Sequence, residues 1–423
     1  MTRSSRRTLF YALLGLFLVA GATIVLYAQG WRLDLRTLRP EKVGGIFIRS
    51  FPQDASIFLN GKSVENKAGI LSHGTLISDL FPKTYAVSLK KDGYADWHEN
   101  TGVLPALVTE LKYAVLVPNV PVAVSGKTIL ETPGGAILWN GKKIARGTIV
   151  SKSADSQSVI VKNTVTGAYS LYDLSAATST DIAAPGGITS IAVDPYDSTK
   201  IIYGNKQKIW IWDAAQATSS VIERAPARDT LGSWVAASAS SIAWTRFAGT
   251  SETSRVVLYD KFSGDITKSS STIPGRAVAL KWIGNGALGI LTDGGSLYRY
   301  DASADQFKKL ADDVKNFEVA GDGSLLAAVE NKSLEIFSFT DASTYRRFNL
   351  PDMANVTGVR WYKDMNHLFV NYADHISFLE LGDLGLNNFT TIAEGSSPFY
   401  DASANALYLV SAGSKLIRFD FPN

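Results

Sequence analysis

The chain has no cysteine among its 423 residues. This absence excludes disulfide bonds, thiolate zinc sites and a cysteine nucleophile. A large charge surplus is also lacking, since 42 basic residues face 39 acidic residues. Residues 1–42 carry seven of the basic and two of the acidic side chains, which leaves 35 against 37 in the rest. Because residues 43–423 are nearly neutral, they create no positive electrostatic potential that would attract a polyanion. Nucleic acid is therefore not expected as a partner.

The composition that remains is typical of a folded, all-β protein. Hydrophobic residues make up 46% of the chain and charged residues 19%, which favours a globular fold over disorder. The 35 glycines, 17 tyrosines and 9 tryptophans favour many short strands joined by tight turns. The length predicts two or three domains, or a small domain beside a large one.

An uncharged run from Leu9 to Ala28 follows Arg3, Arg6 and Arg7. At a rise of about 1.5 Å per residue, it forms a helix of about 30 Å, which is the thickness of the hydrocarbon core of a bilayer. The preceding arginines predict that the N-terminal side is cytoplasmic. We therefore expect a single-pass signal-anchor in the cytoplasmic membrane, with the C-terminal bulk outside the cytoplasm. No cofactor or metal is expected.

A cleaved signal peptide is the alternative to an anchor. Its apolar region should be about 7–15 residues long and should end at a small-x-small site. The run here is longer, and Leu26 occupies a position that requires a small residue in Leu26-Tyr27-Ala28. The anchor is therefore the preferred interpretation.

Residues 43–117 show short alternating apolar runs of the kind found in strands. Asn60-Gly61 predicts a hairpin turn, because both positions tolerate positive φ. The segment resembles a PEGA domain through a set of residues that match in order and spacing, namely Pro52, Ala55, Gly61, Tyr85, Gly93 and Tyr94. Two of the four letters that name the family differ in Pro52-Gln53-Asp54-Ala55. The resemblance implies an extracytoplasmic β-sandwich-like domain without catalytic residues.

Seven segments after residue 145 repeat one order of apolar strand, turn, apolar strand, turn and aromatic strand. Their first strands are anchored at Ile149, Ile191, Val235, Leu280, Phe317, Val359 and Phe399, at intervals of 42, 44, 45, 37, 42 and 40 residues. A four-stranded propeller blade needs about 40–45 residues. The spacing therefore predicts a seven-bladed β-propeller.

Five of the seven third strands end in an aromatic-Asp pair, as in Trp212-Asp213. The repeats thus resemble those of WD-repeat propellers, although no Gly-His dipeptide opens any of them. The last repeat ends after its third strand, so we expect residues 122–145 to close the ring by pairing with the last blade. An eighth blade built from these residues is the alternative.

Motifs that carry chemistry are few. Gly284-Asn285-Gly286-Ala287-Leu288-Gly289 fits the dinucleotide fingerprint, but a strand follows it where a helix is needed, so a turn between blade strands is favoured. His367 and His375 could face each other on successive strands, without a third ligand for zinc. Trp210 and Trp212 share one face of a strand, which favours packing between blades.

The division of the chain follows from these patterns. It comprises a cytoplasmic tail at 1–8, a membrane-spanning helix at 9–28, a juxtamembrane linker at 29–42, a PEGA-like domain at 43–117 and a propeller at 122–423. The predicted function is that of an anchored extracytoplasmic binding or scaffold protein. Its propeller would present a surface to a cell-envelope polymer or an envelope protein. The alternatives are a propeller hydrolase or lyase acting on envelope polysaccharide or peptide, and a structural surface-layer component.

The predicted partner-binding residues lie near the longest connection between blades and the longest turn within a blade, which belong to the same blade. Long loops that are merely tolerated are the competing interpretation. Arginine can hold carboxylates through two hydrogen bonds, so an acidic partner is expected. The candidates are Arg224, Arg228, Asp229, Arg246, Glu252 and Arg255.

Overall fold

The computed structural model describes residues 3–423 apart from twelve short gaps. These gaps are 36–37, 70–71, 123–128, 132–134, 140–141, 154–156, 195, 237–239, 285, 340–344, 383–384 and 412–415. The described residues form one long helix followed by many short strands. The expected all-β fold with an N-terminal helix is therefore confirmed.

The helix α1 spans Arg3–Ala28 and is the apolar run predicted from the sequence. Leucine and alanine favour a helix, and the stretch Arg6–Ala28 is apolar and long enough to cross a membrane. Most of its described side chains are exposed, as Leu16 and Phe17 show with exposures of 66% and 72%. A two-stranded hairpin follows, with strands β1 (Trp31–Asp34) and β2 (Arg39–Lys42).

The small domain consists of two sheets that pack face to face. Its strands are β3 (Gly44–Phe51), β4 (Ser56–Leu59), β5 (Lys62–Val64), β6 (Thr75–Leu80), β7 (Thr84–Lys90), β8 (Trp97–Gly102) and β9 (Val108–Val115). One sheet has the order β6-β3-β9 and the other has the order β5-β4-β7-β8. Strand β3 runs parallel to β9 and antiparallel to β6.

Alternation of apolar residues explains this packing. Tyr85, Val87 and Leu89 point to one face of β7, and all three are buried with Ile46 and Ile57 in a common core. The predicted turn at Asn60-Gly61 is confirmed, because both residues have positive φ and join β4 to β5. The structure thus has the β-sandwich arrangement expected for this segment.

The propeller region is built from eight successive antiparallel sheets among the described residues. The first two sheets contain β10 (Ile129–Glu131), β11 (Ala136–Trp139), β12 (Lys142–Arg146), β13 (Thr148–Lys152), β14 (Ser158–Lys162), β15 (Tyr169–Asp173) and β16 (Thr178–Ile182). The next two contain β17 (Ser190–Asp194), β18 (Asp197–Gly204), β19 (Lys208–Asp213), β20 (Thr218–Arg224), β21 (Asp229–Ala236), β22 (Ser241–Ala248), β23 (Thr253–Asp260), β24 (Ile266–Lys268) and β25 (Ile273–Pro274).

The remaining four sheets complete the chain. They contain β26 (Ala277–Ile283), β27 (Ala287–Thr292), β28 (Leu297–Asp301), β29 (Gln306–Ala311), β30 (Val314–Val319), β31 (Leu325–Glu330), β32 (Leu334–Ser338), β33 (Tyr345–Phe348), a short 3-10 helix (Met353–Asn355), β34 (Val356–Trp361), β35 (His367–Tyr372), β36 (His375–Glu380), β37 (Thr390–Glu394), β38 (Ser396–Asp401), β39 (Ala406–Val410) and β40 (Leu416–Asp420). Each predicted first-strand anchor, from Ile149 to Phe399, lies in the first strand of its sheet.

Ring closure differs in part from the main expectation. Val122 does pair with Arg418 of β40, at the place of the missing fourth strand of the last sheet. Strands β10, β11 and β12, however, form a separate sheet, which packs against β13–β16 through Ile137 and Val159. The arrangement is therefore the eight-sheet alternative. The reason is that Ala136–Trp139 and Lys142–Arg146 pair with each other more extensively than with the last blade.

The aspartates that end the third strands close tight turns. The carboxylate of Asp301 accepts hydrogen bonds from the backbone N–H of Ser303 and Ala304, and the same pattern occurs at Asp173 and Asp260. The Ser303 hydroxyl also donates to Asp301 and lowers the pKa of that carboxyl. The repeated aromatic-Asp pair thus has a structural origin, because an ionised carboxylate holds the turn between the third and fourth strands.

The small domain docks on the propeller. Trp97 Nε1 donates a buried hydrogen bond of 2.7 Å to Glu380 Oε2 in β36, and the backbone N–H of His98 donates to Asn388 Oδ1. Val115 and Val117 join a propeller core cluster that contains Phe378. This contact is apolar and buried, so the small domain is fixed to the sixth and seventh predicted blades.

Candidate functional site

The main candidate site is a cleft on one face of the propeller. Adjacent strands of each sheet run antiparallel, so the turns that join strands one to two and three to four emerge together. We call this side the lower face. The turns that join strands two to three, and the connections between sheets, emerge on the opposite side, which we call the upper face.

A cleft of about 620 Å³ opens on the lower face, among the turns of four successive sheets. This volume suits a small molecule or a short polymer segment. The lining combines two aromatic side chains, three polar side chains, four glycines and four apolar residues. They are Tyr196, Trp282, Ser240, Ser241, Asp322, Gly284, Gly286, Gly321, Gly323, Leu258, Ile283, Ala302 and Ala320.

Two glycines allow neighbouring turns to approach at the cleft. The backbone N–H of Gly284 donates to the carbonyl of Gly323 at 3.0 Å. A Cβ on Gly323 would lie 2.2 Å from the Gly284 nitrogen, and its φ of +72° also favours glycine. The predicted turn between blade strands is confirmed here, since β26 ends at Ile283 and β27 begins at Ala287, with Asn285 outside the described residues. The glycine motif therefore shapes the cleft through backbone packing.

Tyr196 stands on the rim of the cleft with 64% of its surface exposed. Its backbone N–H donates to Asp194 Oδ1 at 3.0 Å. Asp194 also forms an ion pair with Lys261, and both side chains are mostly buried. The backbone N–H of Lys261 in turn donates to the carbonyl of Ser240. These contacts join the turns of two sheets and hold the backbone of Tyr196 at the rim of the cleft.

Trp282 is the second aromatic residue that lines the cleft. The indole Nε1 is buried and has no hydrogen-bond acceptor within the described part of the chain. A buried polar group without a partner carries a cost of about 1–3 kcal/mol. Tyr196 and Trp282 are the two aromatic side chains that line the cleft, which makes them its principal candidate binding residues.

Charged side chains of the inner strands form a second feature, which we call the inner-strand cluster. Glu318 lies at its centre and forms ion pairs with Lys281 on one side and Arg360 on the other, the latter at 2.6 Å. Lys152 lies with its Nζ 3.7 Å from the ring centre of Phe399. The cluster is completed by Asp401, which attracts Lys152. Three cations and two carboxylates thus come from five inner strands, with Lys152 and Asp401 at the last position of theirs.

Within this cluster, Lys152 is the residue whose amine has a clearly shifted pKa. Burial lowers its pKa to about 8, with the attraction of Asp401 opposing that change and the repulsion of Arg360 adding to it. A substantial fraction of this amine is therefore neutral just above physiological pH. This behaviour would suit proton exchange as well as anion binding.

The structure places the predicted partner-binding residues on the upper face, as expected from their turns. Asp229 pairs with Ala248 and Arg246 pairs with Arg255, so the connection and the turn do lie side by side. Arg224, Arg228 and Glu252 are exposed, whereas Arg255 is half-buried. They could contact a partner, and they lie on the opposite face from the cleft.

Arg246 has a structural role within that group. Its guanidinium forms an ion pair with Glu223, and both side chains are largely buried, at 13% and 6% exposure. An arginine engaged in this way offers little to a partner. The other five candidates therefore remain for the upper-face surface, namely Arg224, Arg228, Asp229, Glu252 and Arg255.

The histidine and tryptophan pairs have structural environments. His367 bonds to Asp364 through Nδ1, and His375 bonds to Asp374, at opposite ends of the β35-β36 hairpin. The expectation that the two histidines face each other is therefore wrong, because the register pairs His367 with Glu380. Trp210 and Trp212 pack in a core cluster, as predicted. Among the described residues, no three His, Asp or Glu side chains are grouped to hold a metal ion.

Comparison with solved structures shows a β-propeller fold. An oligogalacturonate lyase in complex with manganese superimposes with a TM-score of 0.50 at 12% identity, over 72% of this chain and 97% of that chain. A second oligogalacturonate lyase, from Vibrio parahaemolyticus, gives 0.49 at 12% identity over 73% and 94%. The propeller domain of Cps50 (Swd1) from Myceliophteria thermophila gives 0.44 at 13% identity over 70% and 100%.

No protein-family model and no curated protein matches the chain. The likeness to solved structures thus concerns the fold. The resemblance of residues 43–117 to the PEGA family stays a prediction.

Sequence reasoning missed the cleft. Tyr196 and Trp282 lie 86 positions apart and share no linear motif. The detectable signal was indirect, since the Gly284 motif and the Asp322-Gly323 turn both mark tight turns on one face. Their convergence depends on the order of the sheets around the propeller.

Proposed function

We propose that the protein is a membrane-anchored, extracytoplasmic binding protein whose propeller binds a segment of a cell-envelope polysaccharide in the lower-face cleft. The observation that carries this proposal is the occurrence of an exposed tyrosine ring, Tyr196, and a second aromatic side chain, Trp282, in the lining of one cleft. Sugar rings present apolar C–H faces that stack on aromatic rings, and their hydroxyl oxygens accept hydrogen bonds. The exposed apolar helix α1 supports the anchored location.

The PEGA-like domain acts in this proposal as a rigid spacer. Its docking through Trp97 and Val115 would keep the cleft at a fixed distance and angle from the helix. A fixed scaffold lowers the entropy cost of binding an extended polymer. The upper-face arginines remain candidates for a second, acidic partner.

Binding of envelope polysaccharide to the purified full chain tests the proposal. Tyr196→Ala should weaken binding about tenfold, which corresponds to about 1.4 kcal/mol. Trp282→Leu replaces the second aromatic ring of the cleft with an aliphatic side chain and should also weaken binding. Tyr113→Ala removes a tyrosine of the small domain that is 47% exposed and serves as the matched control. Unchanged binding in both cleft variants, with loss in Arg228→Ala/Arg255→Ala, would move the site to the upper face.

Absence of enzymatic activity is part of this proposal. Glu318 in the inner-strand cluster is already engaged by two cations. Incubation of the full chain with oligogalacturonate, followed by ultraviolet detection of unsaturated products, provides the direct assay. If the full chain forms unsaturated products and the Lys152→Met variant does not, the proposed binding role is wrong and the protein is a lyase.

A further inference from the structure

The hairpin β1-β2 directly follows the apolar helix and exposes leucines at its turn. Leu33, Leu35 and Leu38 are 55%, 79% and 72% exposed. Leu33 stands opposite Pro40 in the hairpin register, and the other two lie in the connecting turn. Grouped leucines on a folded surface mark an interaction site more often than isolated ones do.

The hairpin is fixed to the end of the helix. The Arg32 guanidinium lies 3.5 Å above the Tyr27 ring and donates to the Tyr27 carbonyl at 2.7 Å. The same side chain forms a salt bridge of 2.7 Å with Asp79 in β6. One arginine therefore connects the last turn of the helix, the hairpin and the small domain.

A second apolar group lies beside this connection. The carbonyl of Gly30 accepts a hydrogen bond from Val43, and the carbonyl of Val43 accepts one from Ala106. Leu104 and Leu107 flank Ala106 and are 58% and 57% exposed. The exposed leucines of the hairpin and of this loop thus occur at the end of the small domain that the helix enters.

The charge of the hairpin complements an anionic surface. Its sequence carries four basic residues, Arg32, Arg36, Arg39 and Lys42, and two acidic ones, Asp34 and Glu41. Arginine, lysine and interfacial aromatic residues such as Trp31 are typical of the boundary between lipid headgroups and acyl chains. Apolar side chains with adjacent basic groups are the pattern of segments that lie in this boundary.

We propose that the β1-β2 hairpin, with the adjacent Leu104–Leu107 loop, is a membrane-contacting element that inserts its leucines into an anionic phospholipid surface. This inference rests on the proposed membrane anchoring of α1. It adds a second contact, which sets the angle of the small domain to the bilayer. The docked propeller would then present its faces at a defined orientation.

The lack of cysteine makes a labelling test direct. Single-cysteine variants of the full chain would carry an environment-sensitive fluorophore at Leu33→Cys, at Leu18→Cys in the helix, or at Val165→Cys in a distant turn. Val165 is 80% exposed and is the aqueous control. The proteins are reconstituted in vesicles of phosphatidylcholine and phosphatidylglycerol that contain lipids with a quencher near the headgroup or in mid-chain.

We expect the label at position 33 to be quenched several-fold more than the label at 165, and most strongly by the headgroup-proximal quencher. Adding Leu35→Asp and Leu38→Asp should return the label at 33 toward the aqueous value, while the label at 18 remains quenched. Both leucines are exposed, so an unchanged melting temperature would verify that this variant folds. In vesicles of phosphatidylcholine alone, which lack anionic lipid, the label at position 33 should be quenched less than in the mixed vesicles.

The outcomes separate this proposal from the anchor on which it rests. Quenching at 18 without quenching at 33 overturns the hairpin contact alone. Absence of quenching at both positions overturns the membrane anchor as well. A third outcome is a blue-shifted emission of the label at position 33 that lipid quenchers do not reduce and that is lost when the protein is diluted. This result would mean that the hairpin contacts a second copy of the chain, and it would overturn the lipid contact.

Discussion

At the scale of single residues, the rim of the cleft depends on the buried ion pair between Asp194 and Lys261. Removal of one partner from a buried pair leaves an uncompensated charge. The same carboxylate accepts a hydrogen bond from the backbone N–H of Tyr196, on the rim of the proposed binding site. In our proposal, stability and binding are therefore linked at Asp194.

Lys261→Met should destabilise the protein by about 3–5 kcal/mol, because Asp194 would remain buried without its cation. The measurement is the denaturant midpoint of the full chain. Lys200→Met is the control, since Lys200 pairs with Asp213 in a more exposed position and should cost less than about 1 kcal/mol. Equal effects of the two substitutions would contradict the assigned role of the buried pair.

Lys152 provides a pH-dependent test of the inner-strand cluster. Its pKa is lowered to about 8 from 10.5, so the folded state disfavours the protonated amine. Between these values the unfolded chain binds more protons, and the free energy of unfolding should rise with pH.

Lys152→Met should therefore stabilise the protein at pH 7 by about 3 kcal/mol, since the pKa of the lysine is lowered from 10.5 to about 8 and each pKa unit corresponds to about 1.36 kcal/mol. The difference from the unsubstituted chain should shrink above pH 8 and be lost near pH 10.5, the ordinary value. Thermal melts across this range provide the measurement. Lys206→Met, at an exposed position, should show no such trend.

At the scale of elements, the last sheet is closed by the chain that leaves the small domain. The backbone N–H of Val122 donates to the carbonyl of Arg418 at 2.8 Å. This contact covers part of the otherwise open edge of β40. An uncovered edge strand is a template for aggregation.

Val122→Pro removes the donor and should lower the melting temperature and promote aggregation, whereas Val122→Ala keeps the N–H and should have a smaller effect. Light scattering during a thermal melt detects the difference. Deletion of 122–145 should be more severe, because it also removes most of the sheet β10-β11-β12. A deletion variant that melts like the full chain would show that the other seven sheets suffice.

The helix α1 belongs to the same scale. We expect protease added to spheroplasts to digest the propeller, while the mature chain retains residues 1–8. This follows from the length of the apolar run and from the arginines that precede it. A mature chain that begins near Gln29 would instead identify a cleaved signal peptide.

At the scale of the whole molecule, the small domain and propeller share a buried interface centred on Trp97 and Glu380. Loss of the indole donor would leave a carboxylate oxygen without that partner in a buried apolar contact. The interface should then loosen. Such a change would alter the orientation of the propeller relative to the helix.

Trp97→Phe should broaden the distance distribution between spin labels at Lys112→Cys and Phe262→Cys, measured by double electron–electron resonance. Trp361→Phe is the matched control, because its indole donates to Glu318 within the propeller. A narrow distribution in both variants would mean that apolar packing around Val115 and Phe378 is sufficient to hold the domains.

The sequence by itself determined the elements that depend on local pattern. The apolar run predicted α1, alternation predicted the strands of both domains, and the spacing of 37 to 45 residues predicted one sheet per repeat. Asn60-Gly61 specified its own turn because both residues tolerate positive φ. These features are local because backbone conformation and strand pairing act between neighbours in the chain.

Tertiary structure alone decided the features that join distant residues. Three such features are the separate sheet β10-β11-β12, the contact of Trp97 with Glu380 and the position of Tyr196 and Trp282 in one cleft. All three depend on how the sheets are ordered and packed. The upper-face arginines were correctly placed side by side, yet the burial of Arg246 against Glu223 could not be read from the repeat. Repeats specify each sheet, whereas side-chain contacts between sheets arise from the closed arrangement, which no single repeat encodes.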